Sequence, residues 1–185
     1  MSLLCGCSGT LNKDNALNSE FLSSRAVLPR NSENELELVT MELEELGYVL
    51  VDSPKGKRMT TTLNNQVILA SGFSERSPAQ KVRTLRHELV HAKQWRRYGV
   101  AGFAGKYAIE TQRWVLEMHG YRQSIRDSCS MGLSRKSISE YIGKVSKSFS
   151  SSYKMKSIQS NIVEESTVEV LFNELDSWEG CLEQD

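Results

Sequence analysis

Apolar residues recur at helical spacing in four separate stretches of the chain. These stretches cover residues 36–46, 82–92, 138–149 and 168–175. Apolar positions three or four residues apart share one face of a helix, so each stretch predicts a helix with one buried side. Between the last two helices, residues 146–160 are rich in serine and lysine, and this composition predicts a loop or flexible connector.

A different pattern separates the first two predicted helices. Residues 48–51, 59–63 and 66–70 form short runs rich in β-branched side chains, and turn-forming residues separate them. Residues 64–65, both asparagine, suit a two-residue hairpin turn. Three consecutive strands of this kind predict a small meander.

The order of these elements predicts an α+β fold. We expect a small antiparallel or mixed sheet of about three strands packed on the second helix, with further C-terminal helices. Residues 1–30 show no periodicity and are expected to form a flexible N-terminal arm. Residues 31–128 would then form the core, and residues 129–185 a C-terminal helical extension with the serine-rich connector.

Bulk composition excludes some classes of partner. The 185 residues carry 23 basic and 23 acidic side chains. The chain therefore has no positive net charge that would favour a nucleic-acid partner. No apolar run approaches the ~20 residues that a membrane-spanning helix needs, so no transmembrane segment is expected. The sequence leaves the oligomeric state open.

The four cysteines, Cys5, Cys7, Cys129 and Cys181, are scattered and form no CxxC pair. They predict neither a disulfide framework nor a cysteine zinc site, so reduced thiols in the cytoplasm are the default expectation. The stretch that ends at Cys7 resembles the end of a bacterial lipoprotein signal. It lacks the charged start and the apolar run of such a signal, so we interpret it as a coincidence.

The second predicted helix has a marked start and end. Ser77 can cap its N-terminus, Pro78 suits its first position, and Gln80 completes a capping box. Gly99 suits the position after its last turn. We therefore expect a helix between Ser77 and Gly99, followed by a short flexible segment and a further helix.

Candidate chemistry lies in the middle of this helix. His87 and His91 are one turn apart and point in the same direction, so both imidazoles can bind one zinc ion. Glu88 follows the first histidine, in the HExxH arrangement in which the glutamate acts as general base. The competing interpretation is that these residues fell by chance on an ordinary amphipathic helix. We take zinc as the predicted cofactor.

A catalytic zinc site usually has a third protein ligand. The next predicted helix offers Glu110, Glu117 and His119. Glu110 and Glu117 share one face of that helix, whereas His119 lies two residues beyond Glu117 on roughly the opposite side. The residues alone leave this choice open.

The run HELVHAKQWRRYGVAGFAGKY, followed by LEMHGY, resembles small bacterial and phage metallopeptidases of the gluzincin type. These proteins have a zincin-like fold with an HExxH helix, a short glycine-containing loop, and a second helix with the pattern Glu-x-x-small-Tyr. The resemblance implies that His87, His91 and Glu117 bind zinc and that Glu88 is the base. It also implies an edge strand that binds substrate, for which residues 66–70 are the candidate. Thermolysin-like gluzincins have an aspartate four residues after the glutamate ligand, where this chain has Tyr121.

A peptidase also needs a group that stabilises the developing oxyanion. Four side chains lie near enough in sequence: Tyr107, Arg113, Tyr121 and Arg122. Of these we take Tyr121 as the catalytic candidate beside Glu88.

The resulting hypothesis is a zinc-dependent metallopeptidase that hydrolyses a peptide or protein substrate. Two alternatives remain at this level. One is a non-catalytic zincin-like binding module of a phage, secretion or toxin system. The other is a metal-dependent amidase that acts on a non-protein amide.

Overall fold

A computed structural model describes residues 30–53, 60–61, 65–152, 160–178 and 181. Its helices are α1 (Ser32–Glu45), α2 (Pro78–Ala108), α3 (Glu110–Ser130), α4 (Arg135–Ser152) and α5 (Ser160–Asp176). Its strands are β1 (Val49–Asp52), β2 (Thr60–Thr61) and β3 (Gln66–Leu69). Residues 1–29 of the arm proposed over residues 1–30, with Cys5 and Cys7, lie outside the described residues, as does residue 64 of the proposed hairpin turn.

The predicted α+β fold with a three-stranded meander is wrong, because the described residues are about 76% helical. Strands β1 and β3 pair in parallel over four residues, with Val49 opposite Gln66. Strand β2 adds two antiparallel residues on the other side of β3. Strand patterns in a sequence reveal which residues are extended, but the path of the connecting chain sets the direction of pairing.

The sheet order also corrects the expected position of the edge strand. Strand β3 lies between β1 and β2, so residues 66–70 do not form an edge. The edge strand that lies against α2 is β2. Any extended peptide that pairs with the sheet beside α2 would therefore pair with β2.

The first hydrophobic core joins α1, α2 and the sheet. It contains eight buried residues: Val39, Leu43, Tyr48, Val67, Phe73, Leu85, Leu89 and Ala92. The apolar stripes predicted for α1 and α2 are thus confirmed as core faces. The N-cap of α1 is Asn31, whose side chain accepts a hydrogen bond from the backbone N–H of Glu33.

The second core joins α3, α4 and α5. Its largest fully buried members are Ile125, Ile138, Ile142, Phe149, Leu171 and Leu175. The C-terminal helices therefore pack on α3 rather than on the sheet. Helix α4 continues to Ser152, through part of the segment expected to be a connector.

A disulfide joins Cys129, near the end of α3, to Cys181, with the two Cα atoms 5.0 Å apart. The expectation of four reduced thiols is therefore wrong for this pair. No local pattern predicts this pairing, because 52 residues separate the two cysteines and the packing of α5 on α3 brings them together.

Helix α2 bends at Gly99, whose backbone has φ 66° and ψ 171°. Glycine adopts positive φ at little cost, so the chain changes direction there without strain. The segment after Gly99, expected to start as a loop, is helical up to Ala108. Within the described part of the chain, no helix is both long enough and apolar enough to cross a membrane.

Candidate metal centre

The start of α2 is built as its sequence predicts. The Ser77 side chain accepts a hydrogen bond from the Gln80 N–H at 3.4 Å, and the Gln80 side chain accepts one from the Ser77 N–H at 3.2 Å. Pro78 opens the helix. This capping box fixes the beginning of the helix, so His87 and His91 fall on its inner side, where both are buried.

Three donor atoms converge where α2 meets α3. His87 Nε2 lies 3.0 Å from His91 Nε2 and 3.2 Å from Glu117 Oε2. His91 Nε2 lies 3.4 Å from the same Glu117 oxygen. Among the described residues, these three form the group of histidine, cysteine and acidic side chains that could hold a metal ion. Glu110 and His119 lie outside this group.

These distances fit a metal ion of the size of zinc. Zinc binds nitrogen and oxygen at about 2.0–2.1 Å in tetrahedral sites, so two of its ligand atoms should be about 3.3–3.4 Å apart. The three observed separations are 3.0, 3.2 and 3.4 Å. Imidazole and carboxylate donors also suit zinc and related transition metals rather than calcium, which prefers oxygen ligands. The residues present therefore fit such an ion.

The electrostatics of the group favour a positive charge at its centre. Burial alone would lower the pKa of His91, but the negative charge of Glu117 and its hydrogen bond raise that pKa to about 9. Burial alone would raise the pKa of Glu117, but the two histidines hold it well below its usual value of 4.5. Without a metal, the group therefore keeps a proton that a cation would displace.

The two imidazoles are held in different ways. His91 Nδ1 lies 2.9 Å from the side-chain oxygen of Gln94. His87 is instead held by packing: the Tyr121 ring lies 4.4 Å from it, centroid to centroid, and Gly120 lies directly against it. A Cβ atom at Gly120 would stand 2.6 Å from His87 Nδ1, so α3 can approach this ring only with glycine there.

The second half of α2 covers the third ligand. The bend at Gly99 turns the helix so that the Tyr107 hydroxyl donates a hydrogen bond to Glu117 Oε1 at 2.8 Å. Burial and the neighbouring Glu117 charge raise the pKa of Tyr107, so the hydroxyl keeps its proton. Phe103 stacks on Trp95 at 4.0 Å and on Tyr107 at 5.6 Å, which holds this half of the helix in place.

Glu88 is buried beside the same centre. Its negative charge contributes to the raised pKa values of both His91 and Tyr107, so its carboxylate lies within electrostatic range of both groups. It is absent from the converging trio of donor atoms. Glu88 is therefore buried near the three donor atoms without being one of them.

The candidate oxyanion groups lie in different surroundings. Arg113 Nε donates to the backbone oxygen of Tyr107, and Arg122 Nε donates to Glu174 at 2.6 Å. The Tyr107 hydroxyl donates its hydrogen bond to Glu117. The Tyr121 ring contacts His87 and lies 5.7 Å from Phe149, so it lines the centre on the side of α4.

Sequence reasoning missed Gln94, and it considered Tyr107 only for the oxyanion. A signal for Gln94 was present: it lies three residues after His91, so it shares a helix face with a proposed ligand. The contact of Tyr107 depends on the bend at Gly99 and had no comparable signal.

Comparison of this chain with models of protein families, with curated proteins and with solved structures finds no match.

Proposed function

We propose that this protein is a zinc-dependent metallopeptidase of the gluzincin type, with His87, His91 and Glu117 as ligands. The observation that carries the proposal is the convergence of two imidazole nitrogens and one carboxylate oxygen within 3.4 Å of one another. A zinc ion held by these residues would supply Lewis acidity and would lower the pKa of a bound water toward neutral pH.

Glu88 is the proposed general base. Its charge acts on His91 at the centre, and in this proposal its carboxylate takes a proton from the attacking water. It then delivers that proton to the leaving amine. Tyr121, which lies against His87, is the proposed hydrogen-bond donor to the developing oxyanion.

Tyr107 has a supporting role in this proposal. Its hydroxyl holds Glu117 Oε1, so only Oε2 faces the two histidines. A carboxylate held in this way presents one oxygen to the ion. Three protein ligand atoms in total then suit a catalytic rather than a closed structural site.

The substrate is a peptide or protein that binds in extended form. Strand β2 lies at the sheet edge next to α2, so we propose that substrate adds there as a further strand. Backbone hydrogen bonds would provide most of the affinity in this mode, and side-chain pockets the selectivity.

The proposed compartment is an oxidising one. Disulfides persist mainly in secreted, periplasmic and other extracytoplasmic proteins. The Cys129–Cys181 bond therefore supports export rather than the cytoplasmic default that the cysteine spacing suggested.

The test compares two variants of the purified protein on a quenched-fluorescence peptide library. Glu88→Gln should retain bound zinc, measured by elemental analysis, and lose at least ~10³-fold in kcat/KM, since it removes the base. Glu140→Gln, an exposed position on α4, is the matched control and should keep both zinc and activity. Substantial hydrolysis by Glu88→Gln would remove Glu88 from the mechanism.

A second candidate function is a non-catalytic binding module that zinc stabilises. Burial favours it, because His87, His91 and Glu117 are only 8%, 7% and 3% exposed. In that case the wild-type protein would bind zinc tightly and cleave nothing, and zinc removal would lower its Tm. A library that includes non-peptide amides would also detect the amidase alternative.

A further inference from the structure

Gln94 is a fully buried amide on the side of α2 that carries the two histidines. Its side-chain oxygen Oε1 lies 2.9 Å from His91 Nδ1. Its nitrogen Nε2 donates a hydrogen bond to the backbone oxygen of Leu116 at 3.1 Å. Leu116 directly precedes Glu117 on α3, so one side chain joins His91 to the backbone beside Glu117.

The Leu116 contact fixes the orientation of the amide. A backbone carbonyl can only accept a hydrogen bond, so the NH₂ end of Gln94 must face Leu116. The carbonyl end then faces His91, and Oε1 also can only accept. His91 Nδ1 must therefore carry a hydrogen and donate it.

This hydrogen bond determines what His91 presents on its other side. An imidazole that keeps its hydrogen on Nδ1 has its lone pair on Nε2 in the neutral form. Nε2 is the atom that faces His87 and Glu117, at 3.0 and 3.4 Å. Gln94 thus selects the tautomer of His91 that can bind a metal ion at this place.

We propose that Gln94 is a positioning residue that holds His91 in the metal-binding tautomer. The proposal rests on the proposed function in taking His91 and Glu117 as ligands. Hydrogen bonds from an outer residue to a metal-binding histidine raise its basicity and fix its ring. The described residues supply no such bond to His87 Nδ1, so Gln94 makes the one hydrogen bond of this kind on the histidine pair.

The experiment measures the affinity of the full chain for zinc ions by competition with a chelator, for four proteins. Gln94→Met removes both polar ends with little change in volume. Gln94→Glu keeps an acceptor for His91 but loses the donor to Leu116. Gln123→Met is the matched control, because it breaks a side-chain bond to Asp127 on α3 and leaves the centre untouched.

Removal of an outer hydrogen bond typically costs about 10–100-fold in metal affinity, so Gln94→Met should bind zinc that much more weakly than wild type. Gln94→Glu and Gln123→Met should stay within about threefold of wild type. If Gln94→Met does not fold, as judged by circular dichroism, the comparison of Gln94→Glu with wild type decides. A tenfold loss in Gln94→Glu would then overturn the proposal.

Other outcomes separate this inference from the proposed function. Equal zinc affinity of Gln94→Met and wild type overturns the positioning role and leaves the peptidase proposal intact. Zinc binding without hydrolysis by any protein overturns the peptidase proposal and leaves the role of Gln94 intact. A wild-type protein that binds no zinc overturns both.

Discussion

Gly120 lies so close to His87 that a Cβ atom at this glycine would stand 2.6 Å from His87 Nδ1 and 2.8 Å from its Cε1. Real Cβ atoms essentially never approach another atom this closely, so the ring or the helix would have to move. The small residue of the Glu-x-x-small-Tyr pattern thus has a steric reason in this chain. Gly120 lets α3 bring Glu117 up to the histidines.

Gly120→Ala should therefore displace His87 and weaken zinc binding by at least ~10-fold, with a loss of about 1–3 kcal/mol in the free energy of unfolding. Gly143→Ala is the matched control, because Gly143 is also helical and has nothing within 4 Å of its added Cβ. That change should stabilise the protein by roughly 0.5–1 kcal/mol and leave zinc binding unchanged. Chelator competition and urea unfolding provide both measurements, and equal behaviour of the two variants would contradict the steric account.

Tyr107→Phe removes the hydroxyl that donates to Glu117 Oε1 and keeps the ring that stacks on Phe103. Glu117 then loses the bond that holds its outer oxygen, so zinc affinity should fall about 10-fold or more. Tyr48→Phe is the control, because Tyr48 is buried in the first hydrophobic core and is not one of the residues that build the metal centre; this change should not alter zinc affinity. A Tyr107→Phe variant with wild-type affinity would show that the bond is incidental.

The disulfide should contribute strongly to stability. A bond that closes a loop of 52 residues restricts the unfolded chain and is worth roughly 4 kcal/mol. Cys181→Ser should lower the free energy of urea unfolding by an amount of that order. Thiol labelling of the unfolded, unreduced protein should leave Cys129 and Cys181 unmodified, and full labelling of both would refute the bond.

Glu174 makes stability depend on pH at the acidic end. Burial alone would raise its pKa, but hydrogen bonds and charges from Arg126 and Arg122 lower it below the ordinary value of 4.5. Because the folded-state pKa is the lower one, this contribution is present above pH ~4.5 and is lost as pH falls through the folded-state value. Glu174→Gln should lose about 1.5–3 kcal/mol at pH 7 and show a flatter decline below pH 5. Glu140→Gln is the exposed control. If the free energy of unfolding of Glu174→Gln falls with decreasing pH as steeply as that of wild type, Glu174 is not the source of the pH dependence.

Local chemistry made parts of the fold predictable. The start of α2 followed from Ser77, Pro78 and Gln80 because a helix cap depends on neighbours in sequence. The core stripes followed from helical spacing for the same reason. Strand direction and order, by contrast, depend on the path of the chain between strands, so the meander was wrong and β3 lies in the middle of the sheet.

In the candidate site, too, contacts within one helix were predictable from the sequence and contacts between helices were not. His87 and His91 were visible as a pair because four residues make one helical turn, and Glu117 was chosen by resemblance. Which of Glu110, Glu117 and His119 meets them depends on how α3 packs on α2, and Gly120 decides this contact. Tyr107 and the Cys129–Cys181 bond depend on a bend and a helix packing that no local pattern encodes.

We propose that two histidines of α2 and one glutamate of α3 hold a single zinc ion. The most direct test is elemental analysis of the purified wild-type protein and of His91→Ala, Glu117→Ala and His119→Ala. We expect about one zinc per chain in wild type and in His119→Ala, and almost none in the other two variants. A wild-type protein without zinc, or a Glu117→Ala variant that keeps its full zinc content, would contradict this proposal.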